Sequence, residues 1–246
     1  MASVNQLSLN IEKTCFTIFK RKNKVIPNFL NTITFNNCTI NRVKCTKYLG
    51  VYLDENLSWD THIRELENSL RKTNNAFKII KHQVPLKHKC TLYYAYIYSK
   101  IQYGIEIYGL ASSSQIKKIQ TIQNKSLKIL FNKDYLTPTL SLHKDLNLLL
   151  VNDIHKLSLL KFVKKHQQNE LPQIFNNYFI TNNNIHSHFT RQHKALHVTL
   201  NQTRNNSKNF THSSISSWNE IPSTIKTSKT LNTFSKRTKH YFIDKY

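Results

Sequence analysis

Chemistry that makes or breaks phosphodiesters on two metal ions needs convergent carboxylates holding the ions about 3.5 to 4 Å apart. The chain has 13 Asp and Glu among 246 residues, and their spacing suits that task poorly. Asp54 and Glu55 are adjacent and diverge if they continue a strand, while Asp60, Glu65 and Glu67 fall where a surface helix carries solvated charge. No His-Glu-x-x-His pair, Gly-x-x-x-x-Gly-Lys loop or Gly-x-Ser-x-Gly elbow occurs. No catalytic residue, resident metal or cofactor is therefore expected.

The sulfur and imidazole groups give little more. Cys15, Cys38, Cys45 and Cys90 form no Cys-x-x-Cys pair and have no histidine at zinc-finger spacing, so they read as buried thiols in a reducing compartment. His186, His188, His193 and His197 are the densest histidine group, and the last two can share a helical face. With no carboxylate or cysteine nearby, solvated or packed histidines outweigh a metal site.

The cations are more informative. Lys and Arg number 36, for a net charge of +23, and the excess is spread along the chain. The commonest physical meaning of such a charge is a polyanionic partner such as nucleic acid. An AT-rich coding bias accounts for much of the Lys, Asn, Ile, Phe and Tyr, yet Asp and Glu codons tolerate the same bias, so the scarcity of acids needs another cause. Arg64, Arg71 and Lys78 recur every seven residues where Ile63, Leu66, Leu70, Phe77 and Ile80 keep three- and four-residue spacing. On a helix they form one basic stripe beside an apolar one. A phosphate-binding face and a merely solvated face are both open readings of it. Tyr93 and Tyr96 read as core rather than as base-stacking platforms.

Elements that would position these residues follow from periodicity. Residues 12–20 alternate apolar with polar and predict a strand, with further short strands at 32–35, 39–43 and 48–53 and a tight turn at Asn36-Asn37. Ser58 or Asp60 is suited to cap a helix through Ile80, and more helices are predicted at about 87–100, 114–131, 152–168 and 231–242. Residues 176–214 lose periodicity and read as a loop-rich connection with short strands near Leu196 to Leu200, before order returns at 215–221. Only three glycines and five prolines punctuate the chain, too few for a sandwich or barrel. The fold class expected is α+β, mainly α.

No charge-free apolar run reaches the roughly 18 residues of a membrane span, since Lys100 and Glu106 interrupt the greasiest stretch. The amino terminus has no basic region followed by an apolar segment. An intracellular location, nucleus or cytoplasm, with no membrane partner, is the expectation.

Three segments in order resemble a known family. Asn5-Gln6-Leu7-Ser8-Leu9-Asn10 with Lys13-Thr14 and Phe19 is similar to the segment just downstream of the catalytic Ala-Asp-Asp box in LINE-like reverse transcriptases. Tyr48-Leu49-Gly50-Val51-Tyr52-Leu53-Asp54, followed by Leu57-Ser58-Trp59 and His62-Ile63, resembles their primer-grip motif leading into the thumb. The likeness continues through Tyr103-Gly104, Ile119-Gln120 and Ile122-Gln123-Asn124-Lys125, and ends with Trp218-Asn219-Glu220-Ile221-Pro222, Thr230-Leu231 and Phe234, similar to the tail of jockey-type elements. Tyr108 stands before Gly109 where the family usually has tryptophan.

The resemblance implies the carboxy-terminal part of a non-LTR retrotransposon reverse transcriptase. It implies a palm remnant at 1–54, a helical thumb at 55–170 and a loop-rich region at 171–246 closing with a helix. Tyr48, Leu49, Gly50 and Val51 would be primer-grip-like, and Arg64, Arg71 and Lys78 would bind phosphates. The partners implied are RNA and DNA as a template-primer duplex, together with the missing fingers and palm of the parent enzyme. The intact family enzyme would need Mg²⁺, whereas the chain lies downstream of the catalytic aspartates. Two other readings stay open: a stand-alone basic nucleic-acid-binding module, and a domesticated protein-interaction module.

Overall fold

A computed structural model describes residues 10, 13–35, 37–185, 192–198 and 209–246. It is α+β and mainly helical, with two small antiparallel sheets of two strands each. The chain divides into two compact units, with the division after Glu65. Among the described residues no helix is long and apolar enough to cross a membrane.

The first unit is built on two hairpins. Strand β1 (Thr32–Phe35) pairs with β2 (Cys38–Asn41), Phe35 facing Cys38 across a turn in which Asn37 adopts φ 59°. Asparagine is one of the few residues that tolerates that left-handed conformation. Strand β3 (Cys45–Tyr48) pairs with β4 (Val51–Asp54), Tyr48 facing Val51. The single strand expected at 48–53 is thus the tip and returning arm of a hairpin. Leu49 and Gly50, both at positive φ, reverse the chain where alternation alone reads straight on.

The strand expected at 12–20 does not form a ladder. Phe16 makes one parallel bridge to Arg42, its carbonyl accepting from Val43 N–H at 2.8 Å, and Lys20 N–H reaches Glu55 O at 2.8 Å. The segment therefore runs extended across both hairpins, and neither four-residue strand is long enough to pair with it along its length. The side chain of Glu55 adds a tie, receiving Lys20 Nζ at 3.4 Å and a short contact from Arg42.

Helix α1 (Asp60–Ile80) buries Ile63, Leu66, Leu70 and Phe77, as its spacing predicts. Neither Ser58 nor Asp60 holds the capping position. Asp60 is already helical, and Trp59, at φ 66°, offers the carbonyl that accepts from Ile63 N–H at 2.9 Å.

In the second unit α2 (Leu86–Tyr93), a π-turn (Tyr94–Tyr98) and α3 (Ser99–Gln102) follow one another directly. Buried residues here recur every four, at Tyr93, Ile97, Ile101 and Ile105. A π-turn is wider than the 3.6-residue α turn. That corrects one expectation: Tyr93 is core, but Tyr96 turns outward at 52% exposure, its ring edge-on to Phe77 at 6.4 Å.

After α4 (Ile105–Tyr108) come α5 (Ser113–Leu130), α6 (Thr139–Asp145) and α7 (Val151–Gln167). Helix α7 is the hub, packing on α3, α4, α5 and the later α8 (Phe210–Glu220) and α10 (Leu231–Ile243). It is buried on nearly all sides, as an apolar run such as Leu157 to Leu160 requires. Even Lys164 is enclosed, its Nζ donating to Lys226 O at 2.9 Å where α9 (Ser223–Lys226) ends. The order expected from 215 begins at Phe210 as α8. Of the strands expected near Leu196 to Leu200, Leu196 makes one bridge with Thr181, and residues 199 and 200 lie outside the described residues.

Candidate nucleic-acid interface

The motif residues 48–51 occupy the tip of the β3–β4 hairpin. Leu49 at φ 44° and Gly50 at φ 83° form the two-residue loop, a geometry that matches strand twist and favours Asn-Gly or Gly-Gly. Glycine at the second position is explained by φ alone. Leucine at the first is not, because an L-residue with a large side chain in the left-handed region costs roughly 1 to 2 kcal/mol. Leu49 is also 73% exposed and Tyr48 63%, whereas Val51 is buried and anchors the arm. A positive φ and a largely exposed apolar side chain are both unfavourable for a leucine.

The loop beneath the hairpin is fixed by Asp54, the last residue of the motif. Its Oδ1 accepts from the amides of Asn56 at 3.1 Å and Ser58 at 3.0 Å, and its Oδ2 from Ser58 Oγ at 3.1 Å and Trp59 N–H at 3.0 Å. These bonds hold a turn in which Leu57 and Trp59 both have positive φ. Asp54 is spent on backbone geometry, and Glu55 on Lys20 and Arg42. Among the described residues no group of three or more His, Cys, Asp or Glu is placed to hold a metal ion. Among the described residues the donors do not make a site for the Mg²⁺ that the family resemblance implies for the intact enzyme. His193 and His197 lie apart from any such group, and His186 and His188 fall outside the described residues.

On α1 all three cations of the stripe are exposed. Arg71 has Glu67 at 3.7 Å, one turn before it, and Lys78 Nζ donates to Asn75 Oδ1 at 3.4 Å. Successive members stand about 10 Å apart along the axis and drift by only some 20° around it. The stripe is available to an external anion, with Glu67 offsetting part of one member's charge.

Of the other motif segments, Asn5 to Leu9 lie outside the described residues, and those from Gly104 onward contribute to the packing of the helices. Gln120, Gln123 and Asn124 form a network on α5: Gln123 Nε2 donates to Tyr93 OH at 2.7 Å and Leu149 O at 2.9 Å, and Gln120 Oε1 accepts from Val151 N–H at 2.7 Å. Asn124 Oδ1 lies 3.0 Å from His143 Nε2, and burial lowers that histidine's pKa to about 4. Gly104 turns the chain at φ 69°. Tyr108, at the position of the family's tryptophan, is fully buried with its hydroxyl on Ile101 O, and a Cβ on Gly109 would meet the ring of His155 at 2.4 Å. Burial likewise pulls His155 down to about 4, against the opposing pull of Glu106. Trp218 stacks on Phe234 at 5.6 Å, and the Asn219 amide grips both polar groups of the Leu196 backbone, at 3.1 and 2.9 Å. Thr230 caps α10 through Thr233 N–H at 3.2 Å.

The tip of the β3–β4 hairpin thus stays on the surface, while Gln123, Tyr108 and Trp218 are taken up by packing. The chain is 29% identical over 155 residues to a probable RNA-directed DNA polymerase from transposon X-element of Drosophila melanogaster, covering 60% of the chain and 16% of that protein. It is 26% identical over 148 residues to the probable RNA-directed DNA polymerase from transposon BS, covering 58% and 16%. Against the RNA-directed DNA polymerase from mobile element jockey it is 26% identical over 141 residues, covering 56% and 15%. The chain is similar to jockey-type non-LTR reverse transcriptases. It spans about one sixth of the length of these relatives. No family model and no solved structure matches.

A cationic surface also escapes the sequence reading. Helix α5 contains no acid, and Lys117, Lys118, Lys125 and Lys128 fall on its outer side. The signal was available in the register of its core residues Ile116, Ile119, Leu127 and Leu130.

Proposed function

We propose that the chain supplies template-primer binding to an RNA-directed DNA polymerase of a non-LTR element, as the part carboxy-terminal to the catalytic palm. The carboxylates that hold the reaction's metal ions are contributed from outside these residues. The observation carrying this reading is Leu49: a large apolar residue held at positive φ and largely exposed, at the apex of a hairpin whose returning arm is anchored by Val51 and Asp54. Tyr48 and Leu49 contact the primer strand, and the absent side chain at Gly50 lets backbone approach its phosphate. Arg64, Arg71 and Lys78 neutralise phosphates of bound nucleic acid. Exposed Phe19, Val25, Phe29, Ile33 and Phe35 in the first unit support a further partner, the fingers and remaining palm of the polymerase.

The test is a salt titration of affinity for a short RNA–DNA hybrid. Changing Arg64, Arg71 and Lys78 together to Gln is expected to flatten the log-log salt slope by about two to three, at roughly 0.9 per phosphate contact on B-DNA. Circular dichroism should show both proteins equally folded. Equal slopes remove α1 from the interface, and absence of binding at low salt favours the protein-interaction module.

A further inference from the structure

The outer face of α5 and the loop after it form a second surface that the template-primer reading leaves unused. At 100° per residue, Lys117, Lys128, Thr121, Lys125 and Lys118 fall within a sector of about 100°, opposite the buried Ile119, Ser126 and Leu130. From Lys117 to Lys128 the stripe runs about 16 Å along the axis, room for two or three nucleotides of extended strand. It ends at the α5–α6 loop, where Tyr135 is 90% and Leu136 88% exposed.

That loop is held in place. Lys128 Nζ donates to the carbonyl of Tyr135 and lies over its ring at 5.4 Å from the centroid, and Thr137 N–H closes a turn on Asp134 O at 3.1 Å. With a cation above one face of the ring, the other face is open. Asp134 is the acid adjoining the platform, against Lys125, Lys128 and Lys133 on the cationic side. A row of cations leading to an exposed, positioned aromatic is the pairing that single-stranded nucleic acid uses, phosphates along the cations and a base stacked on the ring. A duplex keeps its bases stacked inside and offers nothing to the tyrosine.

We infer that the α5 lysine face and Tyr135 bind a single strand of nucleic acid, separately from the duplex site assigned to the hairpin tip and α1. The strand's backbone follows Lys117, Lys118 and Lys125, and one unpaired base stacks on Tyr135 beside Lys128.

The test uses the full chain with labelled 12-mers of oligo(dT) and oligo(U), and a 12-base-pair duplex as comparison, followed by fluorescence anisotropy across salt. Tyr135→Ala is expected to weaken oligomer binding about fivefold or more, the lower end of a base–aromatic stack. Tyr135→Phe should retain binding, and duplex affinity should not change in either variant. Changing Lys117, Lys118 and Lys125 to Gln should lower the single-strand salt slope by about two, at roughly 0.7 per phosphate. The two oligomers distinguish DNA from RNA as the strand held. Oligomer binding that Tyr135→Ala and the lysine variant both leave unchanged, or no oligomer binding at low salt, overturns the inference. Loss of oligomer binding in the Arg64, Arg71, Lys78 variant alone overturns it too, while leaving the duplex reading standing.

Discussion

The hairpin tip at 48–51 and the segment around Trp218 look alike as motifs: short, aromatic-led, and matched to the same family. In three dimensions they are opposites. Trp218 is buried, stacked on Phe234 and overlaid by Lys226, so its identity follows from the volume it fills. Tyr48 and Leu49 are largely exposed, so little of their volume is taken up by the fold. A motif match therefore marks constraint without saying whether the constraint comes from packing or from a partner. Burial and backbone strain separate the two.

The largest effect of a single substitution that tests the contrast is Trp218→Ala, expected to cost about 3 to 5 kcal/mol through lost burial and a residual cavity. Chemical denaturation measures it, and a loss under 1 kcal/mol would mean the tail motif is not core. Next comes acid. His143 and His155 are held near pKa 4 by burial, against an ordinary value of 6.5. Between those limits the unfolded chain binds more protons than the folded one. Stability is thus intact above pH 6.5 and falls as pH drops toward 4, by up to about 1.4 kcal/mol per unit of pKa difference at each histidine. Urea midpoints across that window should fall less steeply for a double Gln variant of the two.

Asp54→Ala removes the acceptor of four bonds beneath the hairpin and should cost about 2 kcal/mol, with Asp54→Asn milder because one oxygen remains. Gly50→Ala places a side chain at φ 83° and should cost about 1 kcal/mol. The smallest effect has the opposite sign and is the sharpest. Leu49→Asn suits the turn and should stabilise the chain by about 0.5 kcal/mol, while weakening binding to an RNA–DNA hybrid. Improved binding in the stabilised variant would show that Leu49 is a folding compromise with no ligand role.

Periodicity made the helices legible: α1, α5 and α10 place apolar residues at three- and four-residue spacing, and the apolar residues of α7 recur at the same spacing within a helix buried on nearly all sides. The β3–β4 hairpin was hidden because its turn is Leu-Gly, which carries half of the usual Asn-Gly signal and reads as continuing strand. Tyr96 was misplaced because a π-turn shifts the buried register from 3.6 residues toward four, and nothing in Tyr-Ala-Tyr-Ile-Tyr announces it. The residues of the α1 stripe were legible from heptad spacing, and the structure places all three in solvent. The α5 face was equally legible, from the register of its core residues Ile116, Ile119, Leu127 and Leu130.

The amide grip of Asn219 on Leu196 bears on the timescales of motion. Residues 192–198 carry no regular secondary structure, and such a segment normally exchanges its amide hydrogens through its own small fluctuations. Leu196 N–H instead ends on a side chain rooted in α8, and His197 N–H on Ile180 O at 2.7 Å. The Leu196 amide is thereby tied to α8, and α8 packs on the hub helix α7. Its exchange rate is expected to approach those of the α8 amides rather than those of a loop, which would join an aperiodic stretch of sequence to the helical core in its slow motions.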